Sequence, residues 1–178
     1  LNQNSNTMKK TIALIALTSL LLVSCKKEVT AEVAAKNPNE GGINLSNSEN
    51  TDMIRKMNES ASKFDTESIK KLYVPNAVIH DNMNTMTIDQ NMKNLASLQA
   101  QGVTITLPKD PLVWEVVNNK PDEKTGITNY VISYYEITLA KAEKKATIIF
   151  NMNFAIKDGK IQEEWDTYDT APLTELLK

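Results

Sequence analysis

Asn151 and Asn153 stand two apart in a run, residues 147–156, that otherwise alternates apolar side chains. Ile148, Phe150, Met152, Phe154 and Ile156 share one face of such a strand; Ile149, Asn151, Asn153 and Ala155 share the other. A buried amide is costly unless hydrogen-bonded. The pair therefore marks either a polar-lined pocket or the wet outer side of a sheet, and alternation leaves both open. Tyr130 and Tyr134 share a face of the preceding apolar segment and offer hydroxyl donors. Trp114 and Trp165 are aromatics for a core or sheet face, with Glu163 and Asp169 on the Trp165 face near a solvated strand end. His80 and Asp81 are adjacent, so in a strand they point to opposite sides and make no dyad. Asp81 also opens Asp-Asn-Met-Asn, a sequence that turns by bonding its own backbone. One histidine and one cysteine give no ligand spacing for a metal, and no cofactor is expected.

Cys25 suggests different chemistry. It follows Met8-Lys9-Lys10, an apolar stretch over residues 11–23, and Ser24. A charged start, a short apolar core and a small residue before the cut are the layout of a secretory signal. The stretch is thirteen residues, too short to span hydrocarbon, which takes about 20. With cysteine at the cut, residues 8–24 resemble a bacterial lipoprotein signal, and the Cys25 thiol is the expected point of acylation and membrane attachment. The expected address is the bacterial cell envelope, in the periplasm or facing outward. Residues 1–7 read as mis-called upstream sequence. Loss of Lys9 and Lys10 takes the formal charge from −2 to about −4. With a single arginine, Arg55, and no basic stripe, nucleic acid is not an expected partner.

Residues 25–49 are polar and small, with Pro38 and Gly41-Gly42 as breakers, and read as a flexible tether. Residues 50–178 have the size of one domain. Met53, Ile54, Met57, Ala61 and Phe64 form one helical face, in a helix opening at Thr51 or Asp52. A short helix from Thr66 turns Ile69, Leu72 and Tyr73 inward and is stopped by Pro75. Residues 77–81 read as a brief strand and Asn82-Met83-Asn84 as its turn. Thr87 and Gln90 form a capping box for a helix that presents Ile88, Met92, Leu95 and Gln99, flanked by Ala96, and stops at Gly102. The remainder is β: residues 103–107 and 112–117 around the Pro108 to Pro111 interruption, then 128–140, 147–156, an Asp158-Gly159 turn, and 161–168. Helices followed by long strands make an α+β fold, helices packed on one face of a curved antiparallel sheet.

This order, with Tyr73-Val-Pro-Asn-Ala-Val-Ile-His-Asp81 and Asp158-Gly-Lys-Ile-Gln-Glu-Glu-Trp165, resembles the nuclear transport factor 2-like (NTF2-like) superfamily and its SnoaL-like branch. The resemblance implies a cone with an apolar pocket at its open end, in proteins that are variously enzymes, binders or partner-docking modules. In the ketosteroid isomerase branch it implies Asp81 as general base. Its enolate donors fall on Met57, which cannot donate, and on Asn151, which can. Two-histidine dehydration and an Asp-Arg-Asp epoxide hydrolysis set are excluded by inventory. The resulting expectation is a lipid-anchored binder of a small, largely apolar molecule. The alternatives are a proton-transfer isomerase or cyclase using Asp81 as base with Asn151 or a tyrosine hydroxyl as oxyanion donor, and a module that dimerises or docks a partner protein through its sheet face. Pocket candidates are Met57, Tyr73, Asn153, Tyr130, Tyr134, Trp114 and Trp165.

Overall fold

Ser48 sets where the first helix begins. Its hydroxyl accepts from the Thr51 N–H at 3.1 Å, while the Thr51 hydroxyl accepts from the Ser48 N–H at 2.8 Å. This reciprocal cap satisfies two free backbone donors and starts helix α1, Glu49–Ser62, earlier than its apolar face alone suggests. The computed structural model describes residues 42–178. The expected signal, Cys25 and most of the tether lie outside the described residues.

The last part of the expected tether belongs to the domain. Strand β1, Gly42–Leu45, pairs antiparallel with β5, Leu112–Asn118. A Cβ on Gly42 would lie 2.9 Å from the Val117 carbonyl oxygen, so glycine here permits close pairing rather than breaking the chain. Helix α2, Thr66–Lys70, is capped by the Asp65 side chain on the Ser68 N–H at 3.1 Å. Strand β2 then runs Tyr73–Asp81 and contains Pro75, which a register shift between Tyr73 and Val78 accommodates. Strand β3, Asn84–Thr87, returns along β2 where only a turn is expected. Helix α3, Ile88–Ala100, starts at the Thr87–Gln90 capping box and ends before Gly102 at φ 77°. Leu98, rather than the exposed Gln99 and Ala96, completes its inner face.

Strand β4, Thr104–Thr106, and β5 share one edge of β6, Asn129–Lys141, with Pro108 to Pro111 between them. Strand β7, Lys144–Lys157, and β8, Lys160–Tyr168, complete the order β1-β5-β6-β7-β8-β2-β3. The sheet is mixed, not wholly antiparallel, because β2 lies parallel to β8. Alternation within a strand shows which face is buried but not the direction of its neighbour. A closing helix α4, Ala171–Leu177, opens with proline in its first turn. The described helices and the eight strands make an α+β, NTF2-like fold. No described helix is long and apolar enough to cross a membrane.

Two apolar clusters occupy the inner side. One joins Ile54, Ile79, Val131, Phe154 and Ile161. The other joins Val103, Ile137, Leu139, Ile148 and Leu176, and half-buried Met152 packs against both.

Candidate functional site

The two clusters leave a gap at their seam, a cavity of about 360 Å³. Leu95 and Leu98 of α3, Ile137 and Leu139 of β6, Phe150 and Met152 of β7 and Leu173 of α4 form apolar walls. Asp81, Glu164, Asp166, Tyr135 and Tyr168, with Asn91 and Asn94 of α3, supply its polar surface. No lysine, arginine or histidine among the described residues lines it.

Backbone geometry brings the acids together. Glu164 and Asp166 flank Trp165 in β8, so strand alternation turns both inward and the indole outward. Asp81 ends β2 and is the parallel register partner of Asp166. Asn82 fixes that end: in left-handed conformation at φ 51°, its N–H donates to the Asp166 carbonyl at 2.9 Å. Its side-chain oxygen accepts from the Tyr168 N–H at 3.2 Å.

Glu164 is 1% exposed, and Tyr73 donates to its Oε2 at 2.5 Å. Burial pushes the Glu164 carboxyl up to about 7; hydrogen bonds from Tyr73 and Asp166 oppose that rise, and the Asp81 charge adds to it. Asp166 is held well above the ordinary carboxylate range, first by burial and then by Glu164. Burial thus favours the protonated form of both acids on β8. Burial also raises the hydroxyls of Tyr73, Tyr135 and Tyr168, leaving neutral donors. Tyr135 donates to Asn58 Oδ1 at 3.0 Å, and Asn58 donates to Ser133 Oγ at 3.4 Å, which satisfies a buried amide. Among the described residues, two buried side-chain oxygens remain without a partner, Asp81 Oδ1 and Asp166 Oδ1. No metal-holding group of acids, histidines or cysteines occurs among the described residues.

Of the residues singled out from sequence, Asp81 lines the cavity. Met57 and Tyr73 lie behind it in the core, Tyr73 touching Met57 Sδ at 3.3 Å. Asn151 and Asn153 are on the outer face, where Asn153 Nδ2 donates to Asn151 Oδ1 at 3.2 Å. Asn151 is therefore no donor to the cavity. Fully buried Phe154 sets the phase of β7, which turns Phe150 and Met152 inward and the amides out. Tyr130, Tyr134 and Trp114 also leave the pocket set, because Val131, Tyr135 and Val113 beside them take the inner positions. Trp165 stacks on His80 at 5.7 Å on that same outer side. Glu163, expected in solvent, is half-buried and meets His80 Nε2 at 2.7 Å. Asp169 is exposed and accepts from the Ala171 N–H at 2.9 Å at the start of α4. Arg55 donates to the carbonyls of Ser46 and Val113, a structural role away from the cavity.

Glu164, Asp166, Tyr135, Tyr168 and Asn58 are the residues that sequence reasoning passes over. The available signal is Glu164-Trp165-Asp166, where two acids alternate with an aromatic in a strand beginning at buried Ile161. A second recess of about 340 Å³ lies near Asn50, Asn129 and Lys157. Glu115, buried beside Asn50 and Asn129, accepts from both amides at 2.6 Å through Oε1, which engages that oxygen within the fold.

No protein-family model and no curated protein matches the sequence. Solved structures do. An NTF2-like protein from Burkholderia xenovorans LB400 is 13% identical, with TM-score 0.54 over 75% of this chain and 99% of its own. AclR from Streptomyces galilaeus, proposed to be a hydroxylase, is 17% identical, with TM-score 0.53 over 72% and 95%. Wild-type IdmH from Streptomyces antibioticus, proposed to be a polyketide cyclase, is 17% identical, with TM-score 0.52 over 71% and 96%. At these identities the likeness is one of fold.

Proposed function

We propose that this domain binds a small, largely apolar molecule in the cavity between its two clusters, held to the cell envelope by lipid on Cys25. The observation that carries the binding reading is an apolar-walled space of about 360 Å³ with buried polar oxygens left unpaired on its surface. A solid core would have filled that space with side chains. Native mass spectrometry of the purified protein tests it: a small-molecule adduct is expected, and Leu98→Trp, which fills the cavity from α3, should remove it. An adduct unchanged by Leu98→Trp would count against this site. The anchor reading rests on the layout around Cys25, and Cys25→Ala should move the protein from the membrane to the soluble fraction.

A second reading, proton transfer next to a carbonyl, is supported by Asp81 facing the cavity beside two acids that burial holds toward their protonated forms. Asp81 takes the proton from the α-carbon. The electron pair moves to the carbonyl oxygen, which accepts a hydrogen bond from the protonated acid on β8. Deuterium exchange into 2-acetonaphthone, abolished in Asp81→Asn with the neutral ketone still bound, would identify this activity. The outer face supports pairing of two copies through Leu112, Tyr134 and Ile149, which are 61%, 43% and 50% exposed. A dimer that Ile149→Glu dissociates is the expected light-scattering result.

A further inference from the structure

We infer that the cavity selects ligands carrying a protonated amine on an apolar body, with the ammonium placed between Asp81 Oδ1 and Asp166 Oδ1. The inference rests on the cavity being a ligand site, and it specifies the ligand's charge.

Asp166 is 8% exposed, and its Oδ1 is buried without a partner, as is Oδ1 of Asp81. A buried acid oxygen left unpaired is costly, both residues line the cavity, and an ammonium bound there favours the ionised form of Asp166 that burial otherwise opposes. They are direct register partners on adjacent parallel strands, where neighbouring backbones run about 4.8 Å apart. An ammonium between them reaches an oxygen on each side at about 2.8 Å, the length of a charge-assisted hydrogen bond.

Among the described residues, no lysine, arginine or histidine lines the cavity. Lys70 is held by Asp89 at 2.8 Å, and Lys160 donates to the Lys71 carbonyl. The apolar walls lower the local dielectric, which strengthens the attraction for a cation and the repulsion of an anion. Phe150 and Tyr168, stacked with ring centroids 4.2 Å apart, add aromatic surface that favours a cation further. A carboxylate or phosphate head has no donor charge to meet here. The space equals about twelve water volumes, which suits a two-ring aromatic or a medium alkyl amine.

Calorimetry on the full protein at pH 7 tests this with three probes of one shape: 2-naphthylmethylamine, 2-naphthylmethanol and 2-naphthoate. The amine should bind at least tenfold tighter than the alcohol, and the naphthoate should show no binding. Asp166→Asn and Asp81→Asn should each lower the amine's affinity more than the alcohol's, bringing the two toward parity. Equal affinity for amine and alcohol, or preference for naphthoate, overturns the charge selection but leaves the cavity as a ligand site. Amine binding that persists in Leu98→Trp is surface adsorption and overturns the inference. No binding by any probe overturns both the inference and the reading beneath it.

Discussion

Raising the pH from 5 to 8 should weaken the domain through the acid pair on β8. Glu164 titrates at about 7 in the fold against an ordinary value of 4.5, so between those values the folded protein holds more protons than the unfolded chain. Stability then falls as pH rises: the contribution is complete below about 4.5 and is lost as pH passes through about 7. At about 1.4 kcal/mol per pKa unit, the full loss is about 3.5 kcal/mol, of which about 2.5 kcal/mol falls between pH 5 and 8. For a urea dependence of about 2 kcal/mol per molar, the midpoint should drop by about 1.2 M. Asp65, Asp89 and Asp122 are shifted the opposite way, held low chiefly by hydrogen bonds from Ser68, Lys70 and Thr125. Their effect belongs to more acidic solution. Urea unfolding of wild type and Glu164→Gln at both pH values separates the contribution of the pair. The variant should lose most of the slope and exceed wild type at pH 8. Equal wild-type midpoints at pH 5 and 8, or an undiminished slope in Glu164→Gln, would refute the buried-acid reasoning.

Tyr73→Phe removes the hydroxyl that donates to Glu164 and should cost about 1–3 kcal/mol; because that bond lowers the carboxyl, its titration by carbon-13 NMR should move to higher pH. Ser48→Ala breaks the capping box of α1 and should cost about 1 kcal/mol in the same urea assay, with no change in its pH slope. Asn82→Ala loses the side-chain bond to the Tyr168 N–H and places a Cβ residue without that bond at φ 51°. A loss of about 1–2 kcal/mol is expected, with thermal unfolding as the check.

Long elements with a complete local signal are legible in this sequence. The Thr87–Gln90 box, Gly102 and the Asp158-Gly159 turn all do what their types dictate, because each bonds its own backbone. Elements defined by a distant partner are not legible. Strand β1 exists because Val117 accepts it, β3 because β2 lies alongside, and the parallel β2–β8 pairing depends on the path of the whole chain. The site shows the same division. Alternation puts Asp81 opposite His80, and buried Ile79 on the face of Asp81 sets which side is inner. Glu164 and Asp166 look like solvated charges until burial of both, and the Tyr73 hydroxyl on Glu164, reveal them as an inward-facing pair. For Asn151 and Asn153 the period was visible and the phase was not; Phe154 on the buried side decided it.

A crystal structure grown with 2-naphthylmethanol, the neutral probe, tests the hollow interior most directly. Density for the naphthyl ring between Leu98 and Phe150, with its hydroxyl toward Asp81 and Asp166, is the expected result. Leu98 and Met152 collapsed across the seam, with the probe absent or on the outer face, would contradict the account.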